Sequence, residues 1–263
     1  MVNSKIKLIG LDLDGTLIDP SGKIERETIE ILKRITEAKR IKISIVTSRS
    51  LEDVLPVFFE NGLRYFPSII IAEEREIYIS KDGIYQPLSE EWNNWIIKEE
   101  EKILPTSKRL LERWAKELQK KGLQFSFVSE EIEKKRKYPS LKFVDVNQAE
   151  EARRYVEKEI SFLNVPLRVG RPAVCLDIRS NKTGKGKTLN KLLQFLKISP
   201  TSVLCIGDSH NDLEMLDGRY GFQSGCPANA EEVIKKAVME NKGYIAQEKY
   251  GRGVIEIIER LLK

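Results

Sequence analysis

Residues 6–13, IKLIGLDL, form a short apolar run that stops at Asp14-Gly15. A run this brief and this apolar is a strand buried on both faces, since a strand with one wet face alternates with polar residues. The Asp-Gly at its end marks a turn. The same punctuation returns downstream. ERETIEILKRITEAK (25–39) places Ile29, Leu32 and Ile35 on one helical face, and RIKISIVTSRS (40–50) is a strand that stops at polar residues. A helix follows near 51–61, and SIIIA (68–72) is a strand again. Strands and helices that alternate with short links dictate a parallel sheet covered on both faces.

From about residue 80 the texture changes. KDG (81–83) signals a hairpin, and Trp92, Trp95 and Trp114 all fall in the stretch that follows. TSKRLLERWAKELQKK (106–121) is an amphipathic helix with Gly122 as its stop. LQFSFVS (123–129) and SLKFVDV (140–146) alternate as strands, Asn147 is placed to cap a helix over 148–162, and strands are expected at 165–170 and 173–179. This order predicts a small antiparallel sheet with helices on one face, inserted into the first domain. The first texture resumes after 182, with a helix at 186–196, a strand at 202–207 and a helix around 211–217. One domain, residues 1–81 and 183–263, is therefore expected to be split around a second, 82–182.

Charge and composition exclude several classes of partner. Lys and Arg number 45 against 40 Asp and Glu, and a net +5 spread along 263 residues is too mild for a nucleic-acid-binding surface. No apolar run is long enough to span a membrane, and MVNSKIKLIGLDLDG carries no apolar leader segment, so a cytoplasmic protein is expected. Cys175, Cys205 and Cys226 lie far apart and form no CxxC, as for buried thiols in a reducing compartment.

Three of the core strands end in chemistry: Asp12-Leu13-Asp14-Gly15-Thr16, Thr47-Ser48-Arg49, and Gly207-Asp208-Ser209-His210-Asn211-Asp212. Ligands of open α/β sheets bind at the carboxyl ends of the strands, so these segments should converge on one crevice. Two pairs of carboxylates in one crevice repel unless a cation lies among them, and oxygen-only ligands suit Mg2+. NKTGKGKTL (181–189) poses a separate question, because Gly186-Lys187-Thr188 is the tail of a nucleotide-binding P-loop. The full pattern requires a glycine where Asn181 stands, and it leaves DLDGT and GDSHND unexplained.

DLDGT, a strand-end threonine, a Lys-Gly and GDxxND in this order resemble the haloacid dehalogenase superfamily of phosphohydrolases, over the whole chain. The resemblance implies an α/β fold: a Rossmann-like doubly wound parallel-sheet core with an inserted α+β cap of the superfamily's second type. TSRS, GKGKTL and YIAQEKYGRGVIEII are most similar to sugar-phosphate phosphatases of the sucrose-phosphate phosphatase kind. By this resemblance Asp12 is the nucleophile that becomes an aspartyl-phosphate, and Asp14 is the general acid and base. Mg2+ is held among Asp12, Asp14 (through its carbonyl), Asp208 and Asp212, the last holding the lysine or a metal-bound water. Thr47, Ser48, Lys185 and Asn211 bind phosphate. Lys185-Gly186-Lys187-Thr188-Leu189 fits the lysine motif at the start of a core helix, which replaces the P-loop. Two departures stand out: Thr-Ser-Arg replaces the usual Thr-Gly-Arg, and Glu73-Glu74-Arg75 replaces a common Asn-Gly turn after the third strand.

The implied function is Mg2+-dependent hydrolysis of a small phosphorylated metabolite, a sugar phosphate above all, by a monomer or homodimer. Phosphoglycolate or a glycosyl-3-phosphoglycerate is the nearest rival substrate. A phosphomutase of the same fold and a non-catalytic sugar-phosphate sensor also suit these motifs. A cap large enough to enclose its substrate favours compact monoesters over phosphoproteins and nucleic acids. Blander roles suit the remaining candidates. His210, the only histidine, occupies a variable motif position and is expected to be a loop residue. Lys134-Lys135-Arg136-Lys137 follow Glu130, Glu131 and Glu133, as in a solvated loop. Trp95 and Trp114 are expected in the core of the inserted domain. Arg49 and Asp177 are open between substrate contacts and structural ion pairs.

Overall fold

The computed structural model describes residues 6–62 and 67–262, without the side chains of Thr36 and Lys39. In chain order, β1 (Leu8–Leu11), α1 (Arg26–Lys39), β2 (Lys42–Val46), α2 (Leu51–Glu60) and β3 (Ile69–Ala72) lead to a hairpin of β4 (Glu76–Lys81) and β5 (Ile84–Pro87). Next come α3 (Glu90–Lys120), β6 (Phe125–Phe127), α4 (Glu130–Arg136), β7 (Ser140–Phe143), α5 (Val146–Leu163), β8 (Leu167–Gly170) and β9 (Cys175–Ser180). The remaining elements are α6 (Lys185–Leu196), β10 (Val203–Ile206), α7 (Leu213–Leu216), β11 (Gln223–Cys226), α8 (Glu232–Glu240), β12 (Tyr244–Ile245) and α9 (Tyr250–Leu261). They form two compact units, Met1–Glu90 with Gly184–Lys263, and Glu91–Thr183.

The first unit is built on a sheet of order β12-β11-β10-β1-β2-β3-β4-β5, parallel from β12 to β3 and antiparallel in the hairpin. β1, β3 and β10 are buried at every position, as continuous apolar runs between two helical layers must be. From β1 the chain moves outward to β2 and β3, whereas β10 leads outward through β11 and β12. The order thus reverses between β1 and β10, which opens a crevice beyond the carboxyl ends of these two strands. The KDG signal forms a two-residue turn, with Asp82 at φ 51 and Gly83 at φ 83. Because β5 pairs with β4, residues to Glu90 stay with the first unit, where the sequence reading began the inserted segment at 82.

The second unit has an antiparallel sheet of order β6-β7-β9-β8. Leu141, Phe143, Leu176 and Ile178 pack with residues of α3 and α5 in one core. α3 begins sixteen residues before the expected 106, running straight through Pro105. An interior proline costs about 3 kcal/mol. The helix nevertheless buries Ile96, Ile103, Leu110 and Trp114, at about 1.5–3 kcal/mol each, so the apolar stripe outweighs the break. Asp145, not Asn147, caps α5, its Oδ1 accepting the Gln148 amide at 2.9 Å. Trp114 is buried as expected, but Trp95 is 41% exposed. It stands one residue, or 100°, off the stripe carried by Ile96, and packs on Trp92 (centroids 5.0 Å apart) and under Lys182 Nζ at 5.3 Å. The Glu-rich and Lys-rich run is a short solvated helix rather than a loop: Ser129 caps α4, and its acidic first and basic last turns suit the helix dipole.

All three cysteines are free thiols, Cys205 and Cys226 buried and Cys175 half-buried. Among the described residues no helix is long and apolar enough to cross a membrane.

Candidate active site

β1 delivers Asp12 to the reversal point, where its amide donates to the Ile206 carbonyl at 2.9 Å and its side chain is buried. The chain then turns sharply at Gly15, φ 82. Only glycine serves there, because a Cβ would lie 2.5 Å from Asp208 Oδ2. Asn229 Nδ2 donates to the Gly15 carbonyl at 2.8 Å, and Thr16 Oγ1 donates to Asp208 Oδ1 at 2.8 Å. The first and last motifs are therefore bonded directly to each other.

Lys185, the first residue of α6, is buried with its Nζ 2.6 Å from both Asp12 Oδ1 and Asp212 Oδ1. The other oxygen of Asp212 accepts the amides of Asp208 and Ser209, each at 3.0 Å. Asp212 thus brackets the lysine while capping the short 3-10 turn His210–Asp212.

One oxygen each from Asp12, Asp208 and Asp212 lie within 4.8 Å of one another. Carboxylates at such a range repel by about 3 kcal/mol per pair at an effective dielectric of about 20. Burial, then repulsion from Asp212, raises Asp12 well above the usual carboxylate range against the pull of Lys185. The same two causes push Asp208 up to about 7, opposed by the Thr16 hydroxyl and Lys185. Burial would lower Lys185, but Asp12, Asp212 and then Glu74 raise it above its ordinary value, so the ammonium stays charged. Among the described residues, the one ammonium pairs with Asp12 and Asp212 and not with Asp208. A divalent cation would relieve that excess of negative charge, and an all-oxygen donor set suits Mg2+. Among the described residues, Asp12, Asp208 and Asp212 are grouped closely enough to hold it.

Thr47 follows β2, buried, its Oγ1 accepting the Arg49 amide at 3.1 Å, with Ser48 half-buried beside it. Arg49 forks onto Asp14, Nε to Oδ2 at 2.8 Å and Nη2 to Oδ1 at 2.5 Å. The Asp14 side chain accordingly lies on Arg49 and outside the cluster of three carboxylates.

After β3 the chain reverses over Ala72-Glu73-Glu74-Arg75, with the Arg75 amide on the Ala72 carbonyl at 3.0 Å. Glu73 (φ 46) and Glu74 (φ 56) fill the two left-handed positions that favour Asn-Gly in such a turn. Left-handed backbone costs roughly 1–2 kcal/mol per L-residue. Contacts on every side offset this. Buried Arg75 pairs with Glu73 and, at 3.0 Å, with Glu76. The Glu73 amide bonds the Arg49 carbonyl at 2.7 Å. Glu74 Oε1 accepts from Asn211 Nδ2 at 2.9 Å, and Asn211 Oδ1 accepts from Ser209 Oγ at 2.6 Å.

The structure thus brings Asp12, Lys185, Asp208 and Asp212 together and ties Asn211 to them through Ser209. His210 is half-buried in the 3-10 turn. Lys187 is 41% exposed and pairs with Glu214 at 2.9 Å, apart from the carboxylate cluster. Asp177 is buried in the second unit, accepting from Ser140 Oγ at 2.6 Å. Sequence reasoning missed Thr16, Thr188, Asn229 and Glu74. Thr16 and Thr188 stand inside DLDGT and GKGKTL, where the motif spacing could have found them; Glu74 stood out only as part of a departure from an Asn-Gly turn, and nothing in Glu-Glu-Arg pointed to a contact with the other motifs.

A sequence model of haloacid dehalogenase-like hydrolases matches residues 9–256. The phosphoglycolate phosphatase 1 of Saccharolobus solfataricus is 26% identical, covering 98% of this chain and 96% of that one. A phosphoglycolate phosphatase of Picrophilus torridus is 25% identical over 96% of this chain and 90% of its own. Among solved structures, the sucrose-phosphatase of Synechocystis in complex with sucrose and phosphate shares the fold, with a TM-score of 0.72 at 17% identity over 98% of both chains.

Proposed function

The chain belongs to the haloacid dehalogenase-like hydrolases and is a phosphatase, and we propose that it cleaves a small phosphate monoester through a phosphorylated Asp12. The observation that carries this mechanism is the buried Lys185 ammonium, 2.6 Å from both Asp12 and Asp212 where the sheet order reverses. Asp12 keeps Oδ2 clear of the lysine for in-line attack on phosphorus, while the bond from phosphorus to the leaving oxygen breaks. Asp14 gives that oxygen its proton. Water then attacks the aspartyl-phosphate, Asp14 takes the water's proton, and inorganic phosphate departs with Asp12 restored. To act, Asp14 must leave the Arg49 fork, and the anionic substrate is the natural competitor for that guanidinium. Lys185 has a third N–H for the equatorial oxygens, where negative charge grows in the transition state. Thr47, Ser48 and Asn211 hold the phosphate, and Asp212 holds Lys185 in place. When bound by Asp12, Asp208, the Asp14 carbonyl and, directly or through water, Asp212, Mg2+ supplies neutralisation of the carboxylates and the phosphate dianion.

Full-length relatives named phosphoglycolate phosphatases make phosphoglycolate the first substrate to test. Sugar phosphates come second, on the strength of TSRS, GKGKTL and the C-terminal YIAQEKYGRG. A panel of metabolite phosphates, ranked by kcat/KM with Mg2+ and with EDTA, tests both. Asp12→Asn should abolish turnover and labelling by beryllium fluoride, whereas Asp14→Asn should slow turnover yet still accept phosphate from a good leaving group. Substantial activity in Asp12→Asn would sink the covalent mechanism. Turnover that ignores EDTA would sink the metal, and a nucleotide or phosphopeptide preferred by about tenfold would sink the substrate class.

A further inference from the structure

Glu74 stands where the turn favours glycine. It is the second central residue between β3 and β4, left-handed at φ 56 and buried. Side chains persist in such backbone only where the surroundings over-determine them, and these outliers gather at functional sites. The contacts of Glu74 reach three of the other four segments of the site. Its amide donates to the Thr47 carbonyl at 2.9 Å. Its own carbonyl accepts from Thr188 Oγ1 at 2.7 Å and from the Gly184 amide at 3.1 Å, on either side of Lys185. Its carboxylate accepts from Asn211 Nδ2 at 2.9 Å.

The last contact has a directional consequence. A side-chain amide carries two donors on nitrogen and an acceptor oxygen, and a flip exchanges them. Asn211 has a carboxylate, which can only accept, against one end and the Ser209 hydroxyl, donating at 2.6 Å, against the other. A flipped amide would put two acceptors together at Glu74. Only the observed orientation satisfies both neighbours, and it leaves one N–H of Asn211 for an anion.

We propose that Glu74 is a positioning residue of the phosphate site, orienting the Asn211 amide to donate to a bound phosphate. This rests on the phosphatase reading for the ligand and adds to it the residue that aims one of the ligand's donors. The main-chain bonds of the turn do not need the carboxylate, so the two functions of Glu74 can be separated.

Glu74→Gly removes the carboxylate and suits the left-handed backbone, so its melting temperature should equal or exceed that of wild type. An amide that binds phosphate alike in ground and transition states contributes uniform binding. The KM for p-nitrophenyl phosphate and the inhibition constant of inorganic phosphate should therefore both rise about tenfold, the size of one hydrogen bond to a charged group, with kcat within about threefold. Glu74→Gln, which keeps an acceptor, should restore both constants to within about threefold of wild type. Glu74→Gly combined with Asn211→Ala should bind phosphate no more weakly than Asn211→Ala alone.

Constants for Glu74→Gly within about twofold of wild type, or multiplicative losses in the double variant, would overturn the role, as would a lower melting temperature. Calorimetric titration with inorganic phosphate keeps the two claims apart. Wild type that binds phosphate without hydrolysing esters refutes the hydrolytic reading and still scores Glu74 on affinity; wild type that does neither refutes both.

Discussion

Lys185→Met removes a charge and leaves an unbranched chain of similar length in its slot. Lys185 is buried with Nζ 2.6 Å from two carboxylates that are themselves buried. Taking one partner from a buried ion pair costs about 3–5 kcal/mol, because the charges left behind are desolvated without compensation. For a domain of roughly 150–250 residues each kcal/mol moves the melting midpoint by about 2–4 °C, so the metal-free variant should melt roughly 6–20 °C below wild type. Mg2+ should recover part of that difference, since it neutralises the same carboxylates. Turnover should fall by about 10²–10³, the loss seen when one stabiliser of transition-state charge is removed. The assays are a thermal melt in EDTA with and without added Mg2+, and p-nitrophenyl phosphate hydrolysis well below the variant's midpoint, so that lost folding is not counted as lost catalysis. A midpoint within about 2 °C of wild type, together with more than a tenth of its turnover, would refute both the electrostatic and the catalytic assignment.

Lys187→Ala should leave turnover within about twofold, because its half-exposed pair with Glu214 is worth at most about 1 kcal/mol; a loss matching that of Lys185, or calorimetric binding of Mg·ATP, would revive the nucleotide loop. Gly15→Ala places a Cβ 2.5 Å from Asp208 Oδ2 on backbone at φ 82, so a Mg2+ titration of activity should shift to higher concentration, and an unchanged curve would refute the contact. Burial would raise Glu150, yet Arg153, Arg154 and Arg171 hold it at about 2, below the ordinary 4.5. A depressed carboxylate stabilises the fold fully above pH 4.5, and the contribution is lost as pH falls toward 2. Partial exposure trims its worth to about 1–2 kcal/mol, so urea midpoints of wild type and Glu150→Gln should differ at pH 7 and converge by about pH 2–3; a constant gap would refute the linkage.

The parallel core was legible because a strand buried on both faces has no choice but to be a short apolar run, and each run ended in a residue with chemistry to do. Asp12, Asp208 and Lys185 could be picked out because their motif spacing survives in a linear string. Contacts that depend on the backbone's path left no such trace. Glu73-Glu74-Arg75 stands out in sequence where an Asn-Gly turn is common, but glutamate disfavours left-handed backbone, so the string alone does not show that the turn survives or that Glu74 reaches three site segments. The expected helix over 106–121 left out the turns before Pro105, because the burial of Ile96 and Ile103 that carries the helix through the proline is a tertiary gain. Trp95 shows the same limit, since residue type alone does not fix a helical face one position away from a buried isoleucine.

The reversal of strand order between β1 and β10 also sets a timetable. Leu8–Leu11 align with Val203–Ile206, 195 residues later in the chain. At ribosomal rates of about 5–20 residues per second, that interval lasts on the order of 10–40 s. β2 emerges early and covers one edge of β1, but the other edge keeps unpaired N–H and C=O groups until β10 is made. An open apolar strand edge is a template for pairing with another chain. The nascent protein therefore carries its central strand half-finished until β10 is made, and nascent chains released before residue 203 should aggregate through that edge, whereas chains that include β10 close it themselves.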